Sequence, residues 1–261
     1  MEQLSYALRY VKYALKAKDE HSLHSPFLFE LYENAIKPNA AYYKFKEVEA
    51  VRSQMLSDET KINVVDLGAG SRVSKSNQRK VSSIAKHAVK PAKYGQLLFR
   101  LVNYFKPQII LELGTSLGIT TSYLASVNSN AKVITFEGSP EIAKLALANF
   151  EKLGIDNVEL VEGNFDVTLA TKLSQVEQID FAFIDGNHQK QPTLDYFEQI
   201  IARSHNDTVI VFDDIHWSSG MEEAWNIIKA DERVSITLDF FYLGVAFLRK
   251  EQVKQEFVLK F

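Results

Sequence analysis

Cysteine is absent from all 261 residues of this sequence, and that absence removes several kinds of chemistry. A chain without cysteine forms no disulfide and holds no cysteine-ligated iron–sulfur cluster. It also offers no thiolate nucleophile for covalent catalysis. Enzymes whose mechanism depends on a cysteine are therefore excluded.

Long apolar runs and a strong charge of one sign are also missing. No apolar stretch approaches roughly 18 residues and no charged-then-apolar leader opens the chain, so we expect a cytoplasmic protein without a membrane partner. The formal net charge is −3, with lysines and arginines spread along the chain. At the level of the whole chain, nothing indicates a nucleic-acid binder or a membrane-surface protein.

The most informative feature that is present is a buried-type strand that runs into a glycine turn and then a helix. It extends over 109–121, with the sequence IILELGTSLGITT. Glycine after such a strand lets the backbone turn sharply and leaves space in which a ligand can approach the main chain. The helix that follows would direct its free N–H groups at that space. The pattern predicts a site for a nucleotide-type cofactor.

The glycine spacing and two acidic residues favour one kind of cofactor over another. Gly114 and Gly118 do not have the G-x-G-x-x-G spacing that places a pyrophosphate on a helix N-terminus. Glu137 ends the next predicted strand, where an acid can accept hydrogen bonds from both hydroxyls of a ribose. Glu112 adds a second negative charge, which suits a cofactor with an ammonium and a sulfonium group. These features favour S-adenosylmethionine over NAD.

On these residues, the sequence resembles the class I S-adenosylmethionine-dependent methyltransferases, and among them the group similar to catechol O-methyltransferase. The resemblance covers about residues 93–250 and depends on the order and spacing of several short motifs. In chain order, the motifs are YGQLL at 94–98, ELGTSLG at 112–118, FEG at 136–138, VEGNF at 161–165, FIDGNH at 183–188 and VFDD at 211–214. The resemblance implies methyl transfer as the activity.

The resemblance also implies cofactor contacts for individual residues. Glycines and small polar residues of the first turn would lie against the methionine part of the cofactor, and Glu137 would bind the ribose. Asn164 and Phe165 would flank the adenine, with simple core packing as the alternative for Phe165. The expected cofactor residues are Glu112, Gly114, Thr115, Gly118, Thr120, Glu137, Gly138, Asn164, Phe165 and Asp185.

Short apolar runs alternate with helical patterns from Lys106 onward, which indicates repeated βα units and a parallel sheet. We predict strands near 108–113, 131–137, 157–162, 179–184 and 207–213, and helices near 117–127, 139–152, 165–174, 190–203 and 219–230. Two closely spaced strand-like runs, 234–240 and 245–248, can pair only antiparallel. The predicted class is α/β, a Rossmann-like doubly wound sheet of seven strands that ends in an antiparallel hairpin.

The first part of the chain lacks the alternation of strand and helix patterns that is found after Lys106. We predict that residues 1–92 form an N-terminal helical extension with a substrate or lid loop, and that residues 93–261 form the methyltransferase domain. Residues 1–18 have the spacing of an amphipathic helix, which favours packing on the core or on a second subunit, and so a homodimer, over membrane binding. His21 and His24 have no third metal ligand nearby.

A second glycine motif, at 64–71, is not expected to be the cofactor turn. No apolar helix and no second strand with a terminal acid follow it. The segment up to residue 80 is either a loop whose amides and basic side chains hold an anionic group of the substrate, or a mobile solvated loop. The basic character of 72–93 also keeps RNA methylation open as a second hypothesis.

Acidic residues follow the last two predicted parallel strands. Asp185 ends the fourth strand, and Asp213 and Asp214 end the fifth. The carboxyl ends of parallel strands meet at one edge of a sheet, where clustered carboxylates repel one another unless a cation or protons neutralise them. The resemblance implies that these three residues hold a divalent ion, Mg²⁺, Mn²⁺ or Ca²⁺, that binds the acceptor hydroxyl. Helix capping is the alternative for Asp213 and Asp214.

His188 lies where enzymes similar to catechol O-methyltransferase carry a catalytic lysine. Histidine titrates near neutrality, so His188 is the candidate general base and Asp185 the second catalytic residue, with a turn histidine as the alternative. The Asp-Gly-x-His pattern is also similar to a related methyltransferase branch. His216 and Trp217 either line the acceptor pocket or pack against the next helix.

Three hypotheses follow for the function. The first is methyl transfer to a hydroxyl group of a small molecule. Methylation of pyrimidine carbon 5 and of adenine amines is excluded, since the chain has no cysteine and no two adjacent prolines. The second hypothesis is RNA methylation, and the third is a non-catalytic protein that only binds the cofactor.

Overall fold

The computed structural model describes residues 2–19, 23, 25–37, 40–65 and 77–261, and the chain divides into two compact units. The central unit comprises residues 33–172, and the composite unit joins residues 1–32 to residues 173–261. Neither border coincides with residue 92, so the division into an extension and a methyltransferase domain stays a prediction. His21, His24 and most of the second glycine motif lie outside the described residues.

The elements follow one another in the expected alternation. The helices are α1 (Glu2–Lys16), α2 (Pro26–Leu31), a π-helical turn (Tyr32–Ile36), α3 (Tyr43–Ser57), α4 (Val81–His87), α5 (Ala92–Phe105), α6 (Ile119–Ala125), α7 (Pro140–Lys152), α8 (Phe165–Leu173), α9 (Lys190–Ile201) and α10 (Ser219–Ala230). The strands are β1 (Lys61–Asn63), β2 (Gln78–Lys80), β3 (Ile109–Leu113), β4 (Lys132–Glu137), β5 (Val158–Glu162), β6 (Ile179–Ile184), β7 (Ser204–Asp213), β8 (Ile236–Asp239), β9 (Leu243–Phe247) and β10 (Gln255–Val258).

The main sheet is mixed and mostly parallel. Of its eight strands, three belong to the central unit in the order β3-β4-β5, and five belong to the composite unit in the order β10-β8-β9-β7-β6. In this sheet β3, β4 and β5 pair in parallel and β6 is parallel to β7, whereas β1 and β2 form a separate antiparallel pair in the central unit. β9 is antiparallel to both β7 and β8. The α/β class and the antiparallel hairpin near the end of the chain are confirmed.

The predicted number of seven strands is wrong by one. β10 pairs in parallel with β8, with Gln255 opposite Ile236, and ends the sheet on that side. Its sequence, QEFV, is only partly buried, so it lacks the apolar run that reveals the inner strands. The other strands and helices predicted after residue 106 are confirmed, and the largest shift is at β7, which begins at Ser204 rather than 207.

The helices of the predicted extension supply apolar surface within the central unit. The ring of Phe45 in α3 lies 5.0 Å from Phe99 in α5 and 5.6 Å from Tyr123 in α6. The Tyr123 hydroxyl also donates a hydrogen bond to Glu49 Oε1 at 2.8 Å. α3 therefore packs on the two helices that flank β3 in the sequence.

The first helix is held by the end of the chain within the composite unit. The Tyr13 hydroxyl donates to the carbonyl of Leu259 at 2.5 Å, and the amide of Lys18 donates to Val258 at 2.9 Å. The amphipathic helix predicted for residues 1–18 is thus present as α1 and packs on its own unit. Among the helices that the structure describes, none has the length and apolar character needed to span a membrane.

A buried carboxyl group joins three elements of the central unit. Glu112 of β3 has no exposed surface, and its Oε2 accepts hydrogen bonds from Thr121 Oγ1 of α6 at 2.5 Å and from Thr135 Oγ1 of β4 at 2.6 Å. Its Oε1 is buried without a hydrogen-bond partner in the described part of the chain. Burial raises the pKa of Glu112 to about 7, although the two hydroxyl donors oppose this shift.

Gly118 occupies a position that only glycine fits without strain. It caps the start of α6 with a φ of 75°, a left-handed conformation. A Cβ at this position would lie 2.6 Å from Cε1 of Phe150 and 3.2 Å from Cβ of Ala146 in α7. Both the conformation and the close approach of α7 therefore require glycine.

We expect Gly118→Ala to destabilise the protein by about 2 to 4 kcal/mol, because the new methyl group adds left-handed strain and overpacking against Phe150. Gly154→Ala is the matched control, since Gly154 has a φ of 63° but no heavy atom within 4 Å of the position that a Cβ would take. The control should cost only about 1 kcal/mol. Urea unfolding measures both values, and equal losses would contradict the packing argument.

We expect the free energy of unfolding of Glu112→Gln to increase relative to that of the wild type as the pH rises. The pKa of this carboxyl is near 4.5 in the unfolded chain but about 7 in the folded protein. Below pH 4.5 the group is therefore protonated in both states, and the wild type keeps its full stability. Between the two values the unfolded state binds fewer protons, and the free energy of unfolding of the wild type falls by an amount on the order of 3 kcal/mol. Glutamine has no proton to lose.

The test compares urea unfolding of Glu112→Gln and the wild type at pH 5 and pH 8. The difference in the free energy of unfolding should shift in favour of the variant at pH 8. A difference that does not change with pH would show that the carboxyl ionises normally in the folded state.

Candidate functional site

The predicted cofactor turn is present in the central unit between β3 and α6. Three of its residues have positive φ angles: Gly114 at 105°, Ser116 at 48° and Gly118 at 75°. The amides of Gly114 and Thr115 donate to the carbonyl of Phe136 at 3.1 Å and 2.9 Å, which ties the turn to the end of β4. The main chain therefore turns sharply at the carboxyl end of β3, as the glycine pattern predicts.

Glu137, the acid expected to bind ribose, is held by backbone amides at the end of β4. Its Oε2 accepts a hydrogen bond from the amide of Ser116 at 2.9 Å, and its Oε1 accepts one from the amide of Ser139 at 2.8 Å. The side chain is partly exposed, as is Gly138. Neither serine was predicted to contribute, because a backbone donor leaves no trace in residue type.

Glu112 and Thr115 lie deeper than the other residues of the turn. Glu112 has no exposed surface, and Thr115 is 2% exposed with its Oγ1 2.6 Å from Oγ1 of Thr135. Both side chains therefore support the turn from the interior of the central unit. Thr120, in the first turn of α6, is partly exposed.

The two residues expected near the adenine lie at the start of α8. Asn164 Oδ1 accepts a hydrogen bond from the amide of Asp166 at 3.0 Å, which caps the helix. The Phe165 ring is partly exposed and lies edge-on to Phe136, with 6.2 Å between ring centroids. The amide of Gly163 donates to the carbonyl of Glu137 at 2.9 Å, so this loop adjoins the end of β4.

The last predicted cofactor residue, Asp185, belongs to the composite unit, where it follows β6. The next residues form a strained turn, because Asn187 and His188 have φ angles of 69° and 45°. The amide of His188 donates to the carbonyl of Gly186 at 2.9 Å, and Asn187 Nδ2 donates to the hydroxyl of Tyr196 at 3.3 Å. Such left-handed residues persist only where surrounding contacts hold them, and they concentrate at functional sites.

Asp185, His188 and Asp213 form a cluster of possible metal ligands. Each offers one ligand atom, and these atoms all lie within 4.8 Å of one another. His188 Nε2 is 3.6 Å from Asp185 Oδ1, and Asp213 is 1% exposed. Asp214, which the sequence places with the other two acids, is not in this cluster; its φ is 52° and its amide donates to the carbonyl of Tyr242 at 2.7 Å.

The cluster is of a size that fits a divalent cation. Ligands about 2.1 Å from an ion lie roughly 3 to 4 Å apart, so the three donors need only small movements to bind one ion. Two carboxylates with one imidazole suit Mn²⁺ or Zn²⁺ at least as well as Mg²⁺, which prefers oxygen ligands alone. His188 thus has two chemical options, as a ligand or as a base.

His216 follows Asp213 by three residues, and both of its ring nitrogens lie within hydrogen-bond distance of a carboxylate. Nε2 is 2.8 Å from Asp239 Oδ2, and Nδ1 is 3.1 Å from Glu222 Oε1. Burial disfavours the charged ring, but the hydrogen bonds and negative charges of the two carboxylates outweigh it and raise the pKa of His216. Trp217 is 36% exposed, and its ring centroid lies 6.1 Å from that of Tyr6.

The comparisons with known proteins include a match to the segment that carries these residues. Residues 111–215 match the family model of a methyltransferase domain. The O-methyltransferase imqG of Aspergillus flavus is 32% identical over 111 residues, which are 40% of this chain and 44% of that protein. The release factor glutamine methyltransferase of Escherichia coli is 27% identical over 158 residues, or 59% of this chain and 52% of that protein. The chain spans about half the length of these relatives.

A solved structure extends the likeness to the fold. The O-methyltransferase from Bacillus cereus in complex with SAH superimposes with a TM-score of 0.57 at 23% identity, over 82% of this chain and 95% of that chain. The match to the family model bears out the motif resemblance over residues 111–215, and the chain has the fold of this O-methyltransferase.

Proposed function

We propose that this protein transfers the methyl group of S-adenosylmethionine to a hydroxyl oxygen of a small molecule. The observation that carries the proposal is the turn after β3, where Gly114 and Gly118 have positive φ angles and Glu137 is oriented by two backbone amides. This turn lies inside the segment that matches a methyltransferase domain. The similarity to O-methyltransferases of Aspergillus flavus and Bacillus cereus supports oxygen as the acceptor atom.

In this proposal all expected cofactor residues except Asp185 belong to the central unit. Gly114 and Gly118 let the methionine part approach the main chain, and Glu137 accepts hydrogen bonds from the ribose hydroxyls. Asn164 and Phe165 contact the adenine. Glu112 and Thr115 support the turn from the interior of the central unit. The other expected cofactor residues are Thr120, Gly138 and Asp185.

Residues that follow β6 and β7 act on the acceptor. The acceptor oxygen forms a bond to the methyl carbon, and the carbon–sulfur electron pair returns to sulfur, which leaves S-adenosylhomocysteine. The hydroxyl proton passes to the imidazole of His188. Asp185, 3.6 Å from Nε2 of that ring, stabilises the imidazolium that results. Asp185 and His188 are therefore the proposed catalytic residues.

Asp185 and Asp213 would hold a divalent ion, Mg²⁺, Mn²⁺ or Ca²⁺, on the acceptor side, and His188 would complete its ligands only where it does not act as the base. Such an ion favours loss of the hydroxyl proton, because it stabilises the oxyanion. Asp214 stays a predicted fourth ligand. A metal and a histidine base are separable, since a chelator removes only the first.

One comparison favours a second acceptor class. The match to the release factor glutamine methyltransferase covers more of this chain than the match to imqG, so a protein amide is the alternative acceptor. RNA, a non-catalytic binding role, an anionic group on the acceptor, a homodimer and a cytoplasmic location stay predictions from the sequence. Within the basic segment that suggested RNA, Lys80 forms an ion pair with Glu59.

We expect Glu137→Gln to weaken binding of S-adenosylhomocysteine by about ten- to a hundredfold, because the ribose loses a charged acceptor. Glu141→Gln is the matched control: Glu141 also accepts a backbone hydrogen bond, from Asn63 at 2.7 Å, four residues further along the chain. Isothermal titration calorimetry should show wild-type affinity for the control. Equal affinity of both variants would remove Glu137 from the cofactor site.

We expect label from methyl-labelled S-adenosylmethionine to enter the small-molecule fraction of a cell extract rather than its RNA or protein fractions. A chelator should abolish this transfer and added Mn²⁺ should restore it, because the carboxylates of the cluster then regain their cation. Scintillation counting of the three fractions is the measurement. Transfer that survives the chelator would leave His188 as base without a metal, and label in the protein fraction would favour the amide acceptor.

A further inference from the structure

Two turns of the composite unit contact each other beside the cluster of Asp185, His188 and Asp213, which we call the acceptor cluster. The β7 turn comprises residues 213–217, and the hairpin turn comprises residues 239–242, between β8 and β9. The amide of Asp214 donates to the carbonyl of Tyr242 at 2.7 Å. His216 Nε2 is 2.8 Å from Asp239 Oδ2, and the His216 ring stacks on Phe241 with centroids 5.1 Å apart and planes 16° apart. His216 thus makes two of these three contacts.

Both turns contain a left-handed residue that is not glycine. Asp214 has a φ of 52°, and Phe241 has a φ of 69°, an unusual angle for a bulky side chain. The amide of Phe241 donates to Asp239 Oδ1 at 2.8 Å, so one carboxylate binds both the hairpin turn and His216. Strained residues of this kind keep their conformation only when several contacts determine it. The contacts of His216 are among those that do so here.

His216 is in turn held from the N-terminal helix. Glu222 of α10 accepts from His216 Nδ1 at 3.1 Å through Oε1 and from Arg9 Nε at 2.9 Å through Oε2. Arg9 is 14% exposed, so this ion pair is largely shielded from solvent. Three tyrosine rings of α1 also lie 5.0 to 5.3 Å from the Phe241 ring, namely Tyr6, Tyr10 and Tyr13.

The β7 turn matters because it carries the acids of the acceptor side. Asp213 is the last residue of β7, pairs with Leu243 at the start of β9 and contributes a donor atom to the cluster with Asp185 and His188. A rotation of the turn would move that carboxylate by more than a metal ligand tolerates. The hairpin turn and the N-terminal helix therefore bear on the acceptor cluster through His216.

We propose that His216 is a positioning residue of the acceptor site, which locks the β7 turn to the hairpin turn and is itself oriented by Arg9 through Glu222. The inference rests on the proposed function in one respect, the acceptor role of Asp213. It gives the N-terminal helix, distant in sequence from every methyltransferase motif, a part in the reaction.

His205 provides a matched control within the same unit. Its Nε2 lies 2.8 Å from Asp180 Oδ1, the same separation as in the pair of His216 with Asp239. The two histidine side chains are 26% and 16% exposed. His205 lies near the start of β7, whereas His216 follows its end. Replacing either histidine removes a histidine–carboxylate pair, but only one of them adjoins the cluster.

The experiment titrates Mn²⁺ into the full-length wild type, His216→Ala and His205→Ala, with electron paramagnetic resonance of the free ion as the readout. We expect His216→Ala to bind Mn²⁺ about tenfold more weakly, because the turn that carries Asp213 loses two of its contacts to the hairpin turn; this is the low end of the range seen for changes outside the metal ligands themselves. His205→Ala should stay within about twofold of the wild type. Calorimetry with S-adenosylhomocysteine should give unchanged affinity in both variants, because neither histidine is an expected cofactor residue and all expected cofactor residues except Asp185 lie in the central unit.

Hydrogen exchange of the peptide that covers residues 213–217 supplies a second readout. Exchange should accelerate in His216→Ala and, to a smaller extent, in Arg9→Ala, but not in His205→Ala. In the labelling assay, His216→Ala should lower kcat per S-adenosylhomocysteine-binding molecule without raising the KM for S-adenosylmethionine. A general loss of stability would instead lower the fraction of molecules that bind S-adenosylhomocysteine in calorimetry.

Two results would overturn the inference: Mn²⁺ affinity and kcat in His216→Ala equal to those of His205→Ala, or exchange in the β7 turn equal to that of the wild type. Failure of the proposed function looks different. A wild type that binds no S-adenosylhomocysteine sinks the methyltransferase proposal, while the Mn²⁺ and exchange comparisons still decide the role of His216. A wild type that binds no Mn²⁺ removes the metal, and kcat and exchange then decide.

Discussion

The carboxyl group of Glu112 is the contact on which the predicted cofactor turn depends. Hydrogen bonds from Thr121 and Thr135 join it to α6 and β4, so strand, helix and neighbouring strand meet at one fully buried group. These hydrogen bonds fix the position of the turn between β3 and α6. The amide of Ser116 in that turn then orients Glu137 by a hydrogen bond. Burial of an acid is costly, and the raised pKa of Glu112 is the physical sign of that cost.

The proposed acceptor residues are positioned by strained backbone instead of a buried charge. Four residues in the turns after β6, β7 and β8 have positive φ angles: Asn187, His188, Asp214 and Phe241. The first two lie in the turn after β6, and Asp214 lies in the turn after β7. Each needs contacts that hold it, and the pairing of the β7 turn with the hairpin turn supplies them at Asp214 and Phe241. A cluster that must present Asp185, His188 and Asp213 together gains rigidity from this arrangement.

Much of the fold could be predicted because its signals are local. Apolar runs that end in an acid or a glycine marked β3, β4, β6 and β7, and the short spacing around Gly244 predicted the antiparallel hairpin. β10 escaped because an edge strand buries only part of its surface and so carries little apolar pattern. In the site, Asp185 and Asp213 lie close together, as expected for residues at the ends of neighbouring parallel strands. His188 lies with them, and Asp214 stays a predicted ligand.

The sequence by itself determined the α/β class, the order of the motifs and the residue types available for a cofactor and a cation. Those properties follow from periodicity and from strand ends, which act over a few residues. Only the tertiary structure decided that Glu112 is buried between two threonines, that amides of Ser116 and Ser139 hold Glu137, and that His216 stands between Glu222 and Asp239. The physical reason is that such contacts join backbone groups and side chains of separate elements, whose meeting depends on how the elements pack and leaves no periodic pattern in the chain.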